Sequence, residues 1–146
     1  MEESIKIEEA IAKALKLEEV DPRTYSPLVL AYIGDAVYEL IVRTILVDRG
    51  NRQANTLHKK ASTYVKASAQ AAMAEAFLPE LTEEELSYFK RGRNAKTVSM
   101  AKHATMHDYR HATGFEALMG YLYLTDQMNR MIDLIKLGME RTGGTP

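Results

Sequence analysis

Two acidic residues lie within the most apolar segments of the chain. Asp35 stands in LVLAYIGDAVYEL (residues 28–40), and Glu116 stands in GFEALMGYLYL (residues 114–124). Burying a lone carboxylate is expensive, so each acid needs a hydrogen-bond donor, a cation or a metal ion nearby. If the two segments cross in the core, both acids could bind one cation. Oxygen ligands without nearby Cys or His suit a hard ion such as Mg²⁺ or Mn²⁺.

Periodicity alone favours a simpler interpretation of each acid taken singly, namely a partner for a buried arginine or a residue on a narrow solvated edge. Glycines stand close to both acids: Gly34 directly precedes Asp35, and Gly114 lies two residues before Glu116. A glycine inside a helix costs about 1 kcal/mol of helix stability relative to alanine. We therefore expect another helix or a ligand to approach closely beside both acids.

The hydrophobic pattern predicts an all-α fold in one compact helical domain. Ser26 and Pro27 are typical of a helix start, and Asp48-Arg-Gly50 is typical of a helix end. Since the segment between them is apolar on most faces, it is predicted to be the central buried helix. Thr82 and Glu85 form a capping-box pattern. The predicted helices cover an N-terminal amphipathic segment around residues 5–15 and then roughly 27–47, 53–77, 82–91, 115–124 and 126–141.

The remaining segments are predicted to connect these helices. Residues 1–23 form an acidic helix and linker, residues 24–142 the main domain, and residues 143–146 a flexible tail. Arg91-Gly-Arg-Asn94 is predicted to be a turn, and residues 95–111 to contain short helical pieces.

Composition excludes several classes of protein. The 146 residues include no cysteine, which excludes disulfides, zinc–thiolate sites and cysteine nucleophiles. The amphipathic N-terminus does not resemble a signal peptide, and charged residues interrupt the longest apolar stretch. We therefore expect a cytoplasmic protein without a membrane partner.

A net charge of −1 hides two basic segments, each suited to attracting a polyanion. The basic residues of residues 49–74, a segment without any acid, are Arg49, Arg52, Lys59, Lys60 and Lys66. Residues 86–115 have only Asp108 against Lys90, Arg91, Arg93, Lys96, Lys102 and Arg110. For each charge alone, a solvated surface position is the simpler interpretation. The four histidines show no metal-type spacing, and His111 is interpreted as a packing or phosphate-contacting residue.

Two motifs carry a family resemblance. Tyr32-Ile-Gly-Asp-Ala-Val-Tyr-Glu39 resembles the ribonuclease III signature FLGDAVLE, and Phe115-Glu-Ala-Leu-Met-Gly-Tyr-Leu-Tyr-Leu124 resembles the family's second motif, FEALIGAIYL. Their order and their separation of about 80 residues also agree with the family. The resemblance covers about residues 24–140. The stretches at 91–96 and 109–116 are similar to those of the Mini-ribonuclease III branch. The lack of an appended double-stranded-RNA-binding domain is also similar to that branch.

The resemblance implies a ribonuclease III-like endonuclease fold with Asp35 and Glu116 as catalytic metal ligands. It implies an Mg²⁺-dependent enzyme, with Mn²⁺ as a substitute, that cuts double-stranded RNA to 5′-phosphate and 3′-hydroxyl ends. A homodimer formed through the signature helix would place one site on each strand. Members of this branch are implicated in trimming large-subunit ribosomal RNA precursors, which makes such a precursor the expected substrate.

The basic residues would then contact RNA. The expected contacts are Lys59, Lys60, Lys90, Arg91, Arg93, Asn94, Lys96, Arg110 and His111. Two positions that are acidic in the larger family members are Ala31 and Thr113 here. Those two replacements leave open a non-catalytic RNA-binding dimer. A helical interaction protein without a nucleic-acid partner is disfavoured by the basic segments. Glu39, one helical turn after Asp35, is interpreted as a surface or interface charge rather than an outer-shell acid.

Overall fold

Two long helices cross at the centre of the protein, and the other helices pack around them. The computed structural model describes residues 6–96 and 105–146. The described residues form α1 (Ile7–Leu15), α2 (Pro27–Arg49), α3 (Ala54–Val65), α4 (Ala67–Phe77), α5 (Glu83–Asn94), α6 (Met106–Leu124) and α7 (Met128–Thr142), with 3₁₀ turns at Pro22–Thr24 and Leu78–Glu80. Helix α6 packs against α2, α4, α5 and α7. The predicted all-α single domain is confirmed.

Helix α2 begins and ends close to the predicted positions. The Ser26 hydroxyl accepts a hydrogen bond from the Val29 amide at 3.3 Å, Pro27 occupies the first turn, and Gly50 follows the last residue. One face of the helix is buried against α6, and Tyr38 on this face packs edge-on against Phe115 with ring centroids 4.8 Å apart. The opposite face is exposed, so α2 is central as predicted but is buried on one face only in the single chain.

The predicted helix over residues 53–77 is two helices, because Lys66 has an extended backbone with a ψ of 154°. Two side chains donate hydrogen bonds to the backbone carbonyls that have no helical partner at this break. The Tyr38 hydroxyl donates to the Tyr64 carbonyl at 2.8 Å, and the Gln70 amide donates to the Val65 carbonyl at 2.9 Å. These two bonds replace the hydrogen bonds that a continuous helix would have made.

Helix α5 shows the predicted capping box, with bonds in both directions between Thr82 and Glu85. It continues through Asn94, so the predicted turn at residues 91–94 is wrong. The physical reason lies at Gly92, where a Cβ would stand 2.7 Å from the Ala117 Cβ and 2.9 Å from the Gly114 Cα. Glycine here permits close packing of α5 on α6 rather than a turn.

Helix α6 begins nine residues before the predicted start at Phe115. The Thr105 hydroxyl accepts a hydrogen bond from the Asp108 amide at 3.0 Å and caps it. Of the short helical pieces expected over residues 95–111, the part at 97–104 lies outside the described residues. Among the described helices, none combines the length and the apolar character needed to cross a bilayer.

Candidate active site

Backbone contact between glycines brings α2 and α6 together at the two acids. A Cβ on Gly34 would collide with the carbonyl oxygen of Glu116 and lie 2.7 Å from the Gly120 nitrogen. A Cβ on Gly120 would likewise collide with the Leu30 carbonyl. The close approach expected beside Asp35 is therefore present, and it is a helix–helix crossing. Gly114 has a similar role on the other side of α6, where a Cβ would lie 2.7 Å from the Phe89 carbonyl oxygen.

The crossing places the carboxyl groups of Asp35 and Glu116 beside each other. Burial raises the pKa of Glu116 to about 9, and the hydrogen-bonding, negatively charged Asp35 adds to this increase. In the metal-free protein at neutral pH, Glu116 therefore holds a proton, and its side chain is hydrogen-bonded to Asp35. Asp35 is exposed on α2, so the expectation that it is buried is wrong, whereas Glu116 is partly buried.

A third residue, which the sequence analysis did not identify, lies beside this pair. Gln70 on α4 is only 2% exposed, and its side chain opposes the increase in the pKa of Glu116. Its Oε1 atom is buried and accepts no hydrogen bond from any described residue. An unpaired buried acceptor is costly, so a ligand, ion or water is expected to satisfy it. A lone glutamine in an alanine-rich helix gives no sequence signal of this kind.

The two positions that differ from the larger family members lie one helical turn from the acids and are buried. Ala31 is 7% exposed and Thr113 is 6% exposed. The Thr113 hydroxyl donates to the Tyr109 carbonyl at 3.0 Å, one turn earlier in the same helix. The site therefore offers two carboxylates and one neutral amide oxygen.

Four of the predicted RNA-binding residues line one open cavity of about 370 Å³ between the end of α5 and the start of α6. They are Arg93, Asn94, Arg110 and His111, and the cavity wall also includes Met106 and His107. The Arg93 Nε atom donates to the side-chain amide oxygen Oδ1 of Asn94 at 3.2 Å. Two guanidinium groups at one cavity form a candidate binding site for a phosphate.

The other predicted RNA contacts do not line this cavity. The Arg91 guanidinium lies 5.0 Å from the centre of the Tyr88 ring, an arrangement typical of a cation–π contact. Lys90 and Lys96 are exposed near the end of α5, while Lys59 and Lys60 are exposed on α3. Glu39 forms an ion pair with Arg43 at 2.7 Å, as expected for a surface charge.

A further cluster contradicts the expectation that the histidines lack a metal-type arrangement. Glu75, His107 and His111 bring one potential ligand atom each to within 4.8 Å of one another. Because α6 begins at Met106, the two histidines lie one turn apart on a single helix face. The sequence shows the four-residue spacing, but Glu75 approaches only through the packing of α4 on α6.

Comparison with known proteins agrees with the fold and the two motifs. The profile of the ribonuclease III domain matches residues 28–127, which include both acids. The chain belongs to the ribonuclease III family.

Its relatives include the "Mini-ribonuclease 3" of Brevibacillus brevis, 51% identical over 116 residues that cover 80% of this chain and 87% of the relative. The "Mini-ribonuclease 3" of Enterococcus faecalis is 48% identical over 127 residues, covering 86% of this chain and 96% of the relative. A crystal structure of a Fusobacterium nucleatum protein superposes with a TM-score of 0.72 at 32% identity, covering 80% of this chain and 93% of that one.

Proposed function

We propose that the protein is an Mg²⁺-dependent endoribonuclease that cuts double-stranded RNA, with Asp35 and Glu116 as the catalytic metal ligands. The observation that carries the proposal is the contact of these two carboxyl groups at the α2–α6 crossing, with the pKa of Glu116 raised to about 9. Such strong perturbation by burial and a like charge is typical of functional acids. The products are 5′-phosphate and 3′-hydroxyl ends, and the cellular substrate is a large-subunit ribosomal RNA precursor.

The residues at the site fit a hard divalent cation. Two carboxylates can neutralise its charge, and the unpaired Gln70 Oε1 offers a further oxygen close by. Mg²⁺ takes few protein ligands and keeps several waters, so this small donor set is sufficient, and Mn²⁺ can substitute. When bound, the cation supplies an activated water and neutralises charge on the scissile phosphate.

The chain's own groups set the conditions for binding that cation. Glu116 must lose its proton, and the neighbouring Asp35 and exposed side of α2 give this proton a route to solvent. Gly34 and Gly120 hold the two helix backbones in contact, which fixes the position of the acids. Fixed ligands lower the reorganisation needed when substrate binds.

The cavity lined by Arg93 and Arg110 supports RNA as the substrate, since it lies at the beginning of the same helix that carries Glu116. Side chains cannot read the deep major groove of A-form RNA, so recognition relies on phosphates, 2′-hydroxyls and shape. Asn94 and His111 contact the RNA from the same cavity in this proposal. Further contacts with the duplex come from Lys59, Lys60, Lys90, Arg91 and Lys96.

The exposed face of α2 supports a two-fold homodimer. Val29, Tyr32, Leu40 and Val47 follow helical spacing on this face, and Tyr32 is 83% exposed. A stripe of this kind is typical of an interface. A two-fold dimer places one acid pair against each strand of an RNA duplex, which produces staggered cuts.

Incubation of purified protein with a long RNA duplex and Mg²⁺ tests the proposed reaction. We expect staggered cleavage by the native protein and none by Asp35→Asn, which removes a ligand charge and keeps the shape. Glu39→Gln, on the same helix, is the matched control and should cut normally. An RNA duplex that is bound but left intact by the native protein would instead identify a non-catalytic RNA-binding dimer.

Sedimentation of an interface variant tests the dimer. Val37 is only 8% exposed and belongs to the core, so a charge there would test folding rather than assembly. Leu40→Glu places the charge on the exposed stripe and should give a monomer without staggered cutting. Ile132→Glu on α7, which replaces an apolar residue of similar exposure, should remain a dimer. A native protein that sediments as a monomer at micromolar concentration would contradict the proposed assembly.

A further inference from the structure

The cluster of Glu75, His107 and His111 is distinct from the candidate active site. Its donor groups approach closely: the His107 Nε2 atom lies 3.1 Å from a Glu75 carboxylate oxygen, and the two imidazole rings stack with centroids 4.0 Å apart. One potential ligand atom from each residue lies within 4.8 Å of the others. Binding one ion requires the side chains to move until each ligand atom lies about 2 Å from it.

The hydrogen bonds of both histidines select the ring nitrogen that can bind a metal. The His111 Nδ1 atom lies 2.9 Å from the His107 carbonyl oxygen. A carbonyl only accepts, so this nitrogen carries the proton and the lone pair of the neutral ring belongs to Nε2. His107 has carboxylates near both ring nitrogens, Asp108 at 3.4 Å from Nδ1 and Glu75 at 3.1 Å from Nε2. When its proton is on Nδ1, donated to Asp108, the lone pair of Nε2 is available to an ion beside Glu75. An N–H donated to an oxygen behind the ring is the usual arrangement of a metal-binding histidine.

Packing also limits where the His111 ring can move. The ring lies against Phe89 on α5, with centroids 5.8 Å apart. His111 is half-buried, whereas Glu75 and His107 are exposed. The cluster therefore has one ligand held by the core and two that face solvent, which leaves an entry path for an ion.

The cluster lies on α4 and α6, further along these two helices than the contact between Gln70 and Glu116. Gln70 approaches Glu116, and Glu75, five residues later on α4, approaches His107 and His111, which precede Glu116 on α6. The two helices are thus antiparallel at this contact. Five residues of α-helix correspond to about 7.5 Å along the axis, so Glu116 and the cluster cannot bind the same ion.

We propose that Glu75, His107 and His111 form a second metal site, which binds a transition-metal ion of the Zn²⁺ type. Two imidazoles and one carboxylate are a characteristic zinc ligand set, and they differ from the oxygen ligands that Mg²⁺ prefers. Three protein ligands leave a fourth position for water or an anion. Both histidines also line the cavity of Arg93 and Arg110, which provides space for that ligand. A bound ion links the start of α6 to α4.

Zinc binding to the chelator-treated full chain tests the site, with excess Mg²⁺ present to occupy the oxygen ligands. Calorimetry should show one tight Zn²⁺ per chain, and Zn²⁺ should raise the thermal midpoint. Glu75→Gln, His107→Gln and His111→Gln should each weaken binding at least tenfold. Asp35→Asn should retain it, and so should His58→Gln, which removes an exposed histidine on α3.

Glu75→Gln is the ligand variant that should keep the native fold, because it changes an exposed carboxylate to an amide of the same shape. Circular dichroism of this variant should match that of the native protein. An absence of Zn²⁺ binding by the native protein would overturn the proposal. So would binding that survives in all three ligand variants, or binding that is lost in Asp35→Asn.

Discussion

Two glutamates on neighbouring, packed helices have opposite electrostatic environments. Glu85 on α5 is 4% exposed and accepts two hydrogen bonds from Arg130 at 2.8 Å, which lower its pKa, with a further contribution from Thr82. Glu116 on α6 has Asp35 as its charged neighbour, and burial raises its pKa to about 9. The fold satisfies the charge of Glu85 internally, whereas Glu116 requires a proton or an added cation. This difference separates a structural carboxylate from a candidate catalytic one.

The largest expected effect distinguishes the two glutamates by activity. Glu116→Gln should lower duplex cleavage by about a thousandfold or more, because a lost metal ligand removes several kcal/mol of transition-state stabilisation. Glu85→Gln should change the cleavage rate less than about tenfold at a temperature where it remains folded. Single-turnover rates at saturating Mg²⁺ measure both. Equal losses in the two variants would remove the functional distinction between them.

The next effect concerns stability. Glu85→Ala should lower the free energy of unfolding by about 3 kcal/mol, because the half-buried Arg130 then lacks its anion. The lowered pKa of Glu85 means that this contribution is present above its ordinary value of 4.5 and is lost as the pH falls below it.

Urea denaturation at pH 7 and at pH 3 measures that change. Glu80→Ala is the control, since its ion pair with Arg141 at 3.2 Å is exposed and should contribute about 1 kcal/mol or less. A Glu85→Ala variant no less stable than Glu80→Ala would show that the buried pair has no special role.

A smaller effect is expected at Gln70. Gln70→Met keeps the side-chain length and removes the unpaired oxygen, so the Mg²⁺ concentration needed for half-maximal cleavage should rise about tenfold. Gln127→Met is the control, because this partly buried amide donates to Thr125 at 2.7 Å and lies away from Glu116 in the loop before α7. If Gln70→Met lowers only stability and leaves the Mg²⁺ requirement unchanged, Gln70 is a structural residue.

The smallest expected effect is an increase in stability, whereas most substitutions lower the free energy of unfolding. Because the pKa of Glu116 is raised from 4.5 to about 9, the folded chain holds a proton that the unfolded chain loses, and stability falls with rising pH between these values. Glu116→Gln should therefore stabilise the metal-free protein at pH 8 by at least about 1 kcal/mol, given about 1.4 kcal/mol per pKa unit.

Thermal denaturation in a chelating buffer at pH 8 and pH 5 measures this gain. It should be much smaller at pH 5, close to the ordinary pKa of 4.5, and it should also shrink when Mg²⁺ is added, since only the native acid pair binds the ion. A variant less stable than the native protein at both pH values would contradict the raised pKa.

The sequence was sufficient for features that depend on local chemistry. Ser26 and Gly50 mark the limits of α2, and the capping box marks the start of α5, because each is formed by residues close together in the chain. The glycines beside Asp35 and Glu116 correctly indicated a close approach.

Features that depend on tertiary packing could not be predicted in this way. The break at Lys66 is stabilised by the distant Tyr38 as well as by Gln70, and neither a proline nor a glycine marks it. Gly92 was interpreted as a turn residue because a glycine in the sequence is compatible both with a turn and with a close contact between helices. Gln70 and Glu75 acquire their neighbours only when α4 packs on α6.

The glycine contact between α2 and α6 also divides α2 into two surfaces that can change independently. The inner surface is fixed by backbone contact at Gly34, so no larger residue can replace Gly34 without moving Glu116. The outer surface, with Tyr32 and Leu40, has no such restriction within one chain. Substitutions during divergence of the family can therefore change the outer surface while the distance between the two acids stays constant.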